Sequence, residues 1–303
     1  MHILCHRAGE GAGDQILALN CAHAWARTYQ TPVELEYHWV SDSDFKYMDC
    51  DPETMLERMC MMEERMLQSR YPVHVEHVWG SDLFDYHGAT AMTQEALEHR
   101  RLVQPVKWFL PFEKIHTISR KSKRLHPGNV PFGAQAGNAH WTWKDTPTST
   151  NKIVMWDHSL NREPVKDYKV TDEELRGDLT WVDVRAHVES CFPDHEIVSL
   201  SYRDSFLKAY EEIRTCKFVV GYDGMWHQVA RNFGKLFVVA TDNIIHTHKM
   251  TNPYSSAFRT FKELNSYIDR LAHEKGFLDL EVNQAARYHE IRMEWYERNS
   301  PTV

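Results

Sequence analysis

The chain lacks the features that mark membrane, secreted and repeat proteins. Its 303 residues contain no apolar run that approaches a membrane span, and no charged leader with an apolar core stands at its start. No solenoid or propeller period is visible either. We therefore expect a globular protein without a membrane span, located in the cytoplasm.

Closely spaced cysteine pairs are also missing. The six cysteines are scattered, and no two stand at the Cys-x-x-Cys spacing of a common zinc site. Several lie inside apolar segments, so we expect reduced, buried thiols. The closest histidine clusters, His74 with His77 and His246 with His248, are not accompanied by carboxylates at the spacing of metal ligands. The sequence predicts no metal site.

A bulk positive charge is absent, because the net charge is −8 with 43 acidic and 35 basic residues. This balance argues against a protein that binds polyanions over its whole surface. One local exception is the segment from Lys114 to Arg124, which holds five Lys and Arg residues and no acidic residue. Such a segment is either a solvated loop or a patch that contacts phosphates, and the sequence leaves both alternatives open.

The first half of the chain alternates between strand-like and helical patterns, which favours a parallel sheet covered by helices. The predicted elements are strand 2–6, helix 14–28, strand 33–39, helix 51–69, strand 72–79 and helix 91–103. Residues 105–150 are rich in Pro, Gly, Asn and Thr, and they predict loops over a site followed by a linker.

The alternation restarts at Lys152. The predicted elements are strand 152–156, helix 181–191, strand 195–200, helix 204–214, strand 216–220, helix 224–233, strand 236–240, helix 258–274 and a terminal helix 283–299. We expect an α/β protein with two Rossmann-like domains, residues 1–150 and 151–282. Residues 283–303 are expected to dock back on the first domain.

Two segments have the pattern of phosphate-binding turns. Residues 216–239 place a buried strand, a turn with Gly221 and Gly224, a helix that ends at Gly234, and a second buried strand in one short unit. The first turn of such a helix presents free backbone N–H groups to an anion. A glycine-rich turn also follows the first predicted strand, and Asp14 stands where a helix N-cap belongs. A generic βαβ unit explains the pattern of residues 216–239 equally well.

Together these segments resemble the GT-B glycosyltransferases, and among them the heptosyltransferase type, glycosyltransferase family nine. The first-domain loop of that family has a Gly-Asp pair before a Leu-rich helix, matched by Gly13-Asp14-Gln-Ile-Leu-Ala-Leu19. Its second-domain signature is similar to Gly221-Tyr-Asp-Gly-Met-Trp-His227. Here the hydroxyl residue between Asp223 and Gly224 is missing, so the turn is one residue shorter, and Leu236 replaces a proline.

The resemblance implies two domains that face each other across a cleft. It implies an inverting, metal-independent transfer of a sugar from a nucleotide-diphosphate sugar to an acceptor hydroxyl, without a further cofactor. It makes Asp14 the catalytic base. The expected donor-binding residues are Gly13, Ser159, Arg162, Gly221, Asp223, Gly224, Met225, His227 and Asp242.

Each expected role has a structural alternative. Asp14 is either the base or an N-cap without chemistry, and His227 either contacts a phosphate or packs in the first helical turn. Arg162 either neutralises the leaving diphosphate or lies on the surface. Asp223 would repel phosphate, so a contact to sugar hydroxyls suits it better.

The acceptor is most simply a saccharide. A hydroxymethylated base in DNA is the alternative, because phage DNA glucosyltransferases also have GT-B architecture and because aromatic residues flank the basic segment. The expected acceptor-side residues are Lys121, Arg124, Trp141 and Trp143. A Rossmann oxidoreductase fits less well, since the first glycine turn ends in Gly-Asp. A nucleotide-binding module without catalysis is a further alternative.

Overall fold

A computed structural model gives the fold. It describes residues 2–7, 12–39, 52–68, 70–80, 107–110, 143–156, 179–201, 204–222, 224–240 and 255–274. These residues fall into two compact units, whose boundary lies between Lys144 and Asp145. None of the helices in these ranges has the length and apolar composition of a transmembrane span.

The first unit contains a parallel sheet of four strands. Its elements are β1 (His2–Arg7), α1 (Ala12–Tyr29), β2 (Val33–Trp39), α2 (Pro52–Arg65), β3 (Val73–Trp79) and β4 (Lys107–Leu110). The strand order is β3-β2-β1-β4. In this order the chain reverses its direction of winding between β1 and β4.

The second unit contains a parallel sheet of five strands. Its elements are β5 (Lys152–Trp156), α3 (Trp181–Cys191), β6 (Glu196–Leu200), α4 (Phe206–Thr215), β7 (Phe218–Tyr222), α5 (Met225–Asn232), β8 (Leu236–Ala240), β9 (Ser256–Phe258) and α6 (Phe261–His273). The strand order is β6-β5-β7-β8-β9. Counted within the unit this is 2-1-3-4-5, a common order of doubly wound sheets.

Apolar strands explain why the second sheet is buried on both faces. All residues of β7 and β8 are buried, as are the three central residues of β5. Helices α3 and α6 cover this sheet with aromatic and aliphatic side chains, and Trp181 packs edge-on against both Tyr222 and Phe261. Continuous apolar runs of this kind are typical of parallel sheets with helices on their faces.

Capping residues set the helix ends of the second unit. Thr180, Ser205 and Thr260 accept hydrogen bonds from backbone N–H groups of the first turns of α3, α4 and α6. Helix α5 ends in a Schellman motif: Gly234 has a φ of 68°, and Lys235 N–H donates to the Ala230 carbonyl at 2.9 Å. The predicted helix end at Gly234 is confirmed.

The predicted α/β class with parallel sheets is confirmed. Two strands were not predicted, namely β4 within the expected loop region and the short β9. Helix α1 begins at Ala12, two residues earlier than predicted, so Asp14 lies inside the first turn and is not the N-cap. The predicted helices 91–103 and 283–299 lie outside the described residues.

The segment predicted as a linker is held to the second unit over Asp145 to Thr150. The Tyr210 hydroxyl donates to Asp145 Oδ2 at 2.9 Å, Thr148 N–H donates to the Arg214 carbonyl, and Thr150 N–H donates to the Thr215 carbonyl. The ammonium group of Lys235 is buried and donates to the carbonyls of Thr148 and Cys216. This segment therefore folds along the C-terminal end of α4.

Candidate functional site

The topology of the second sheet points to one place for a ligand. In open α/β sheets ligands bind at the carboxyl ends of the strands, where the strand order reverses. Here the reversal lies between β5 and β7, which pair in parallel with Trp156 opposite Gly221. The candidate site is therefore the carboxyl end of these two strands, together with the N-terminus of α5 that follows β7.

Close packing explains the glycine at position 221. A Cβ atom built on Gly221 would lie 2.3 Å from the backbone oxygen of Trp156 and 2.7 Å from its Cβ. Real Cβ atoms do not approach backbone oxygens so closely. Gly221 therefore lets β7 lie against β5 where the two strands end, and this requirement is structural.

Gly224 is the N-cap of α5, and its backbone N–H is already used within the protein. It donates to Nδ1 of His227 at 2.7 Å. This bond is half of a capping box, in which a side chain at the third helical position accepts from the N-cap backbone. An anion at this helix would have to use the N–H groups that follow Gly224, beginning with Met225, which is half-buried.

His227 is buried and belongs to a polar cluster on α5. Its Nε2 lies 2.6 Å from the side-chain nitrogen of Gln228, and Arg231 Nη1 donates to Gln228 Oε1 at 3.2 Å. Its ring also packs at 5.6 Å from the ring of Phe237. Of the two roles that the sequence leaves open for His227, these contacts favour capping and packing in the first helical turn.

Trp156 was not among the predicted site residues. It ends β5 at the reversal point, and its ring packs edge-on against Trp226 with 6.0 Å between centroids. Its indole Nε1 lies 3.8 Å from the position that a Cβ on Gly224 would occupy. An aromatic residue that ends the first strand of a restarting α/β pattern is the signal that sequence reasoning could have used.

The first unit offers a second reversal point, between β1 and β4. The residues that follow β1 lead into α1, and Gly13 and Asp14 are its second and third residues. The Tyr37 hydroxyl donates to the Gln15 carbonyl at 2.9 Å, which fixes the start of α1 against β2. Burial, followed by the charge of Glu63, raises the pKa of Tyr37 well above its usual value, so this donor keeps its proton.

One face of the first sheet carries buried polar side chains. Cys5 on β1 and Glu36 on β2 are in register, and the thiol donates to Glu36 Oε2 at 3.0 Å. His38 Nε2 lies 2.7 Å from the same oxygen, and all three side chains are buried. Carboxylate oxygens of Glu34 and Glu76 lie within 4.8 Å of that of Glu36. The alternation of β2 places this set on the face opposite Tyr37.

Half of the predicted site residues lie outside the described residues. These are Ser159, Arg162, Asp223 and Asp242 on the donor side and Lys121, Arg124 and Trp141 on the acceptor side, and the side chain of Asp14 is also outside. Trp143 is described, is 1% exposed, and pairs with Met66 through a β-bridge. Its ring has no surface for a ligand, so Trp143 belongs to the core of the first unit and not to an acceptor surface.

The cysteines only partly follow the expectation of buried thiols. The described residues include five cysteine thiols, of which Cys5, Cys21 and Cys216 are buried, whereas Cys60 is exposed and Cys191 is half-buried.

The chain was also compared with known proteins. Its sequence matches no protein-family model, and it matches no curated protein.

Proposed function

We propose that the protein is an inverting glycosyltransferase of the GT-B class. In this proposal the second unit binds a nucleotide-diphosphate sugar, and the first unit provides the base for an acceptor hydroxyl. A strand-turn-helix unit at the β5/β7 reversal point is the observation that supports donor binding most directly, because a diphosphate suits a helix N-terminus at the carboxyl end of a sheet.

The residues around the proposed donor site then have separate roles. The diphosphate lies at the first turn of α5, against the backbone from Met225 onward, and His227 holds that turn in shape through the Gly224 N–H. Trp156 forms one wall of the site beside Gly224. The proposal keeps Arg162 and Ser159 as donors to the leaving diphosphate, and Asp223 and Asp242 as acceptors from sugar hydroxyls.

The reaction is a single displacement. The acceptor oxygen attacks the anomeric carbon, the bond from that carbon to the diphosphate oxygen breaks, and Asp14 takes the proton of the acceptor hydroxyl. The nucleoside diphosphate leaves with the bonding electrons, and its developing charge is stabilised by backbone N–H groups and by Arg162. The position of Asp14 in the first turn of α1 supports this assignment.

The experiment is a mass-shift screen of the full chain with a panel of nucleotide sugars and acceptors. We expect transfer from one donor, and a loss of roughly 100- to 10,000-fold in Asp14→Asn while donor binding by calorimetry is retained. A control variant is Asp194→Asn, a carboxylate of the second unit that has no role in the proposal. The proposal fails if no nucleotide sugar binds, or if Asp14→Asn turns over normally.

The acceptor and the metal requirement are tested in the same screen. Hydroxymethylated DNA is included beside saccharides, because no contact of a described residue favours either acceptor. Each reaction is run with and without a chelator, since Asp42-Ser-Asp44 and Asp49-Cys-Asp51 follow β2 in the sequence and lie outside the described residues. A transfer activity that disappears with the chelator would overturn the metal-independent mechanism.

A further inference from the structure

Helices α3 and α6 of the second unit bring three metal-binding side chains to one point. His187 and Cys191 are four residues apart on α3 and therefore lie on the same face, and Asp269 comes from α6. His187 Nε2 lies 3.1 Å from Asp269 Oδ1, Cys191 Sγ lies 3.4 Å from the same oxygen, and the sulfur and the nitrogen are 3.6 Å apart. The three atoms thus form a nearly equilateral triangle.

These separations match those of ligands around a tetrahedral metal ion. Bonds of about 2.3 Å to sulfur and about 2.0–2.2 Å to nitrogen and oxygen, at tetrahedral angles, place the ligand atoms roughly 3.3–3.6 Å apart. The observed separations fall in this range or within about 0.2 Å of it. The spacing of the three ligand atoms therefore already suits an ion.

We propose that His187, Cys191 and Asp269 form a binding site for a divalent transition metal, with zinc as the best match. The nitrogen, sulfur and oxygen set suits a borderline-soft cation and does not suit magnesium or calcium, which require oxygen ligands. The site is partly open to solvent, so water takes the fourth position. The ion links α3 to α6, two helices that share one apolar core with the sheet.

Without a metal, the same atoms are hydrogen-bonded. His187 Nε2 also lies 3.2 Å from the Asn265 carbonyl, and Cys191 Sγ points to Asp269. Burial and the hydrogen bond to Asp269 raise the pKa of Cys191, so the thiol is protonated at neutral pH. On binding, the metal displaces the thiol proton to the buffer, and the imidazole binds through Nε2 with its proton on Nδ1.

Of the three other clusters in the described residues, one holds only carboxylates, and the two that contain a cysteine fit a metal less well. In the Cys5, Glu36 and His38 set, the sulfur and the nitrogen lie at 3.0 and 2.7 Å from a single carboxylate oxygen, which are hydrogen-bond distances shorter than those between metal ligands. The other set consists of Cys60, Glu63 and His77. Among the described contacts, only His77 and Glu63 of this set have ligand atoms closer than 3.5 Å, at 3.3 Å.

The site lies away from the proposed donor site. Cys191 ends α3, and the chain enters β6 five residues later, so the cluster is near the amino end of the sheet. The donor site is at the carboxyl end. The inference is therefore independent of the proposed glycosyltransferase activity, and the expected effect of the metal is on the stability of the second unit.

The test is a titration of the reduced, tag-free full chain with cobalt and zinc. We expect cobalt to give a thiolate-to-metal charge-transfer band and the visible bands of a tetrahedral ion, and zinc to displace it. Cys191→Ser should abolish the charge-transfer band. Asp269→Asn, a substitution at an exposed side chain that does not threaten folding, should weaken cobalt binding by more than roughly tenfold, since even changes outside the ligand set cost about 10- to 100-fold.

Cys60→Ser is the matched control, because Cys60 is an exposed thiol in the first unit with its own carboxylate and imidazole neighbours. It should keep the cobalt spectrum, and zinc should raise the unfolding temperature of wild type and Cys60→Ser but not of Asp269→Asn. The inference is overturned if no charge-transfer band appears, if Cys60→Ser removes it, or if Asp269→Asn binds cobalt as tightly as wild type.

Discussion

The buried side chains of the two sheets differ in polarity. The central strands of the second sheet, β7 and β8, bury side chains that are almost all apolar. In the first sheet, β2 is buried almost throughout, yet one of its faces carries Leu35 and Tyr37 whereas the other carries Glu36 and His38. Buried polar residues of the second unit are instead concentrated on α5 and its flanks.

A parallel sheet is most simply stabilised when all of its buried side chains are apolar, and the difference shows where each unit departs from this arrangement. Burying a carboxylate is costly unless its hydrogen bonds are satisfied, so a stable sheet does not need Glu36. Departures of this kind in natural proteins are expected at functional sites. In the second unit the departure coincides with the helix at the reversal point. In the first it includes the sheet and also α1, which carries the buried Gln15, Asn20 and His23.

The largest expected effect is a difference in stability between alanine substitutions at two glycines of the second unit. Gly221→Ala should lower the free energy of unfolding by about 3 kcal/mol, because the new methyl group meets the Trp156 backbone. Gly224→Ala should cost about 1 kcal/mol or less, since its nearest new neighbour is at 3.8 Å. Denaturant unfolding measures both. Equal losses would contradict a purely structural role for Gly221.

Glu36→Ala tests whether the polar face of the first sheet is stabilising. It removes an acceptor shared by Cys5 and His38, and we expect a loss of about 2 kcal/mol in the free energy of unfolding. Glu34→Ala, on the same face and less buried, is the control and should cost less than about 0.5 kcal/mol. A Glu36→Ala protein as stable as wild type would show that these contacts do not stabilise the fold.

His227 distinguishes capping from ligand contact at α5. His227→Ala should destabilise by about 1 kcal/mol through loss of the Gly224 N–H contact, and His227→Gln should recover part of that loss, because Gln also accepts at this position. Thermal and denaturant unfolding give the stabilities, and calorimetry gives the donor affinity. If both variants are stable but bind no donor, His227 contacts the ligand directly.

Tyr37→Phe removes the hydroxyl that holds the start of α1. We expect a loss of about 1 kcal/mol in the free energy of unfolding, because the buried Gln15 carbonyl loses its bond from the side chain. Tyr71→Phe, a tyrosine of the same unit that is less buried, is the control and should cost little. A Tyr37→Phe protein with unchanged stability would mean that the start of α1 does not depend on β2.

The smallest expected effect is a pH dependence from His195 in the second unit. Burial, and then the charge of Lys217, lower the pKa of His195 below its usual value, and neither ring nitrogen has a hydrogen-bond partner among the described residues. The unfolded chain then binds the proton more tightly. Stability is therefore full above the unfolded pKa of about 6.5 and declines as the pH falls below it. His195→Gln should flatten this slope in unfolding curves measured across that range.

The sequence predicted the second unit more closely than the first because its signals are stronger there. Short apolar runs between capping residues and glycines placed β5, α3 and β8 at their observed bounds. Lys107 to Leu110 was missed as a strand, since four residues in a Pro-rich region carry no periodicity and pairing with β1 defines them. The start of α1 was also misplaced, because two glycines before Asp14 obscure where helical bonding begins.

The candidate site was only partly predictable. The glycine pattern at Gly221 and Gly224 indicated the turn, but it could not show that Gly221 serves strand packing, because Trp156 is distant in sequence. Burial of Trp143 and the Cys5 contact to Glu36 likewise depend on tertiary neighbours. The triangle of His187, Cys191 and Asp269 was missed because its third member is 78 residues from Cys191.

The bonds that hold Asp145 to Thr150 along α4 affect how the protein should be divided for experiments. A fragment that began at Asn151 would leave the Lys235 ammonium without its Thr148 acceptor and the Tyr210 hydroxyl without Asp145. A fragment that begins at Asp145 keeps both. Proteolytic cleavage and amide exchange within residues 145–150 should accordingly report on the folding of α4 and β8, and not on the freedom of an interdomain tether.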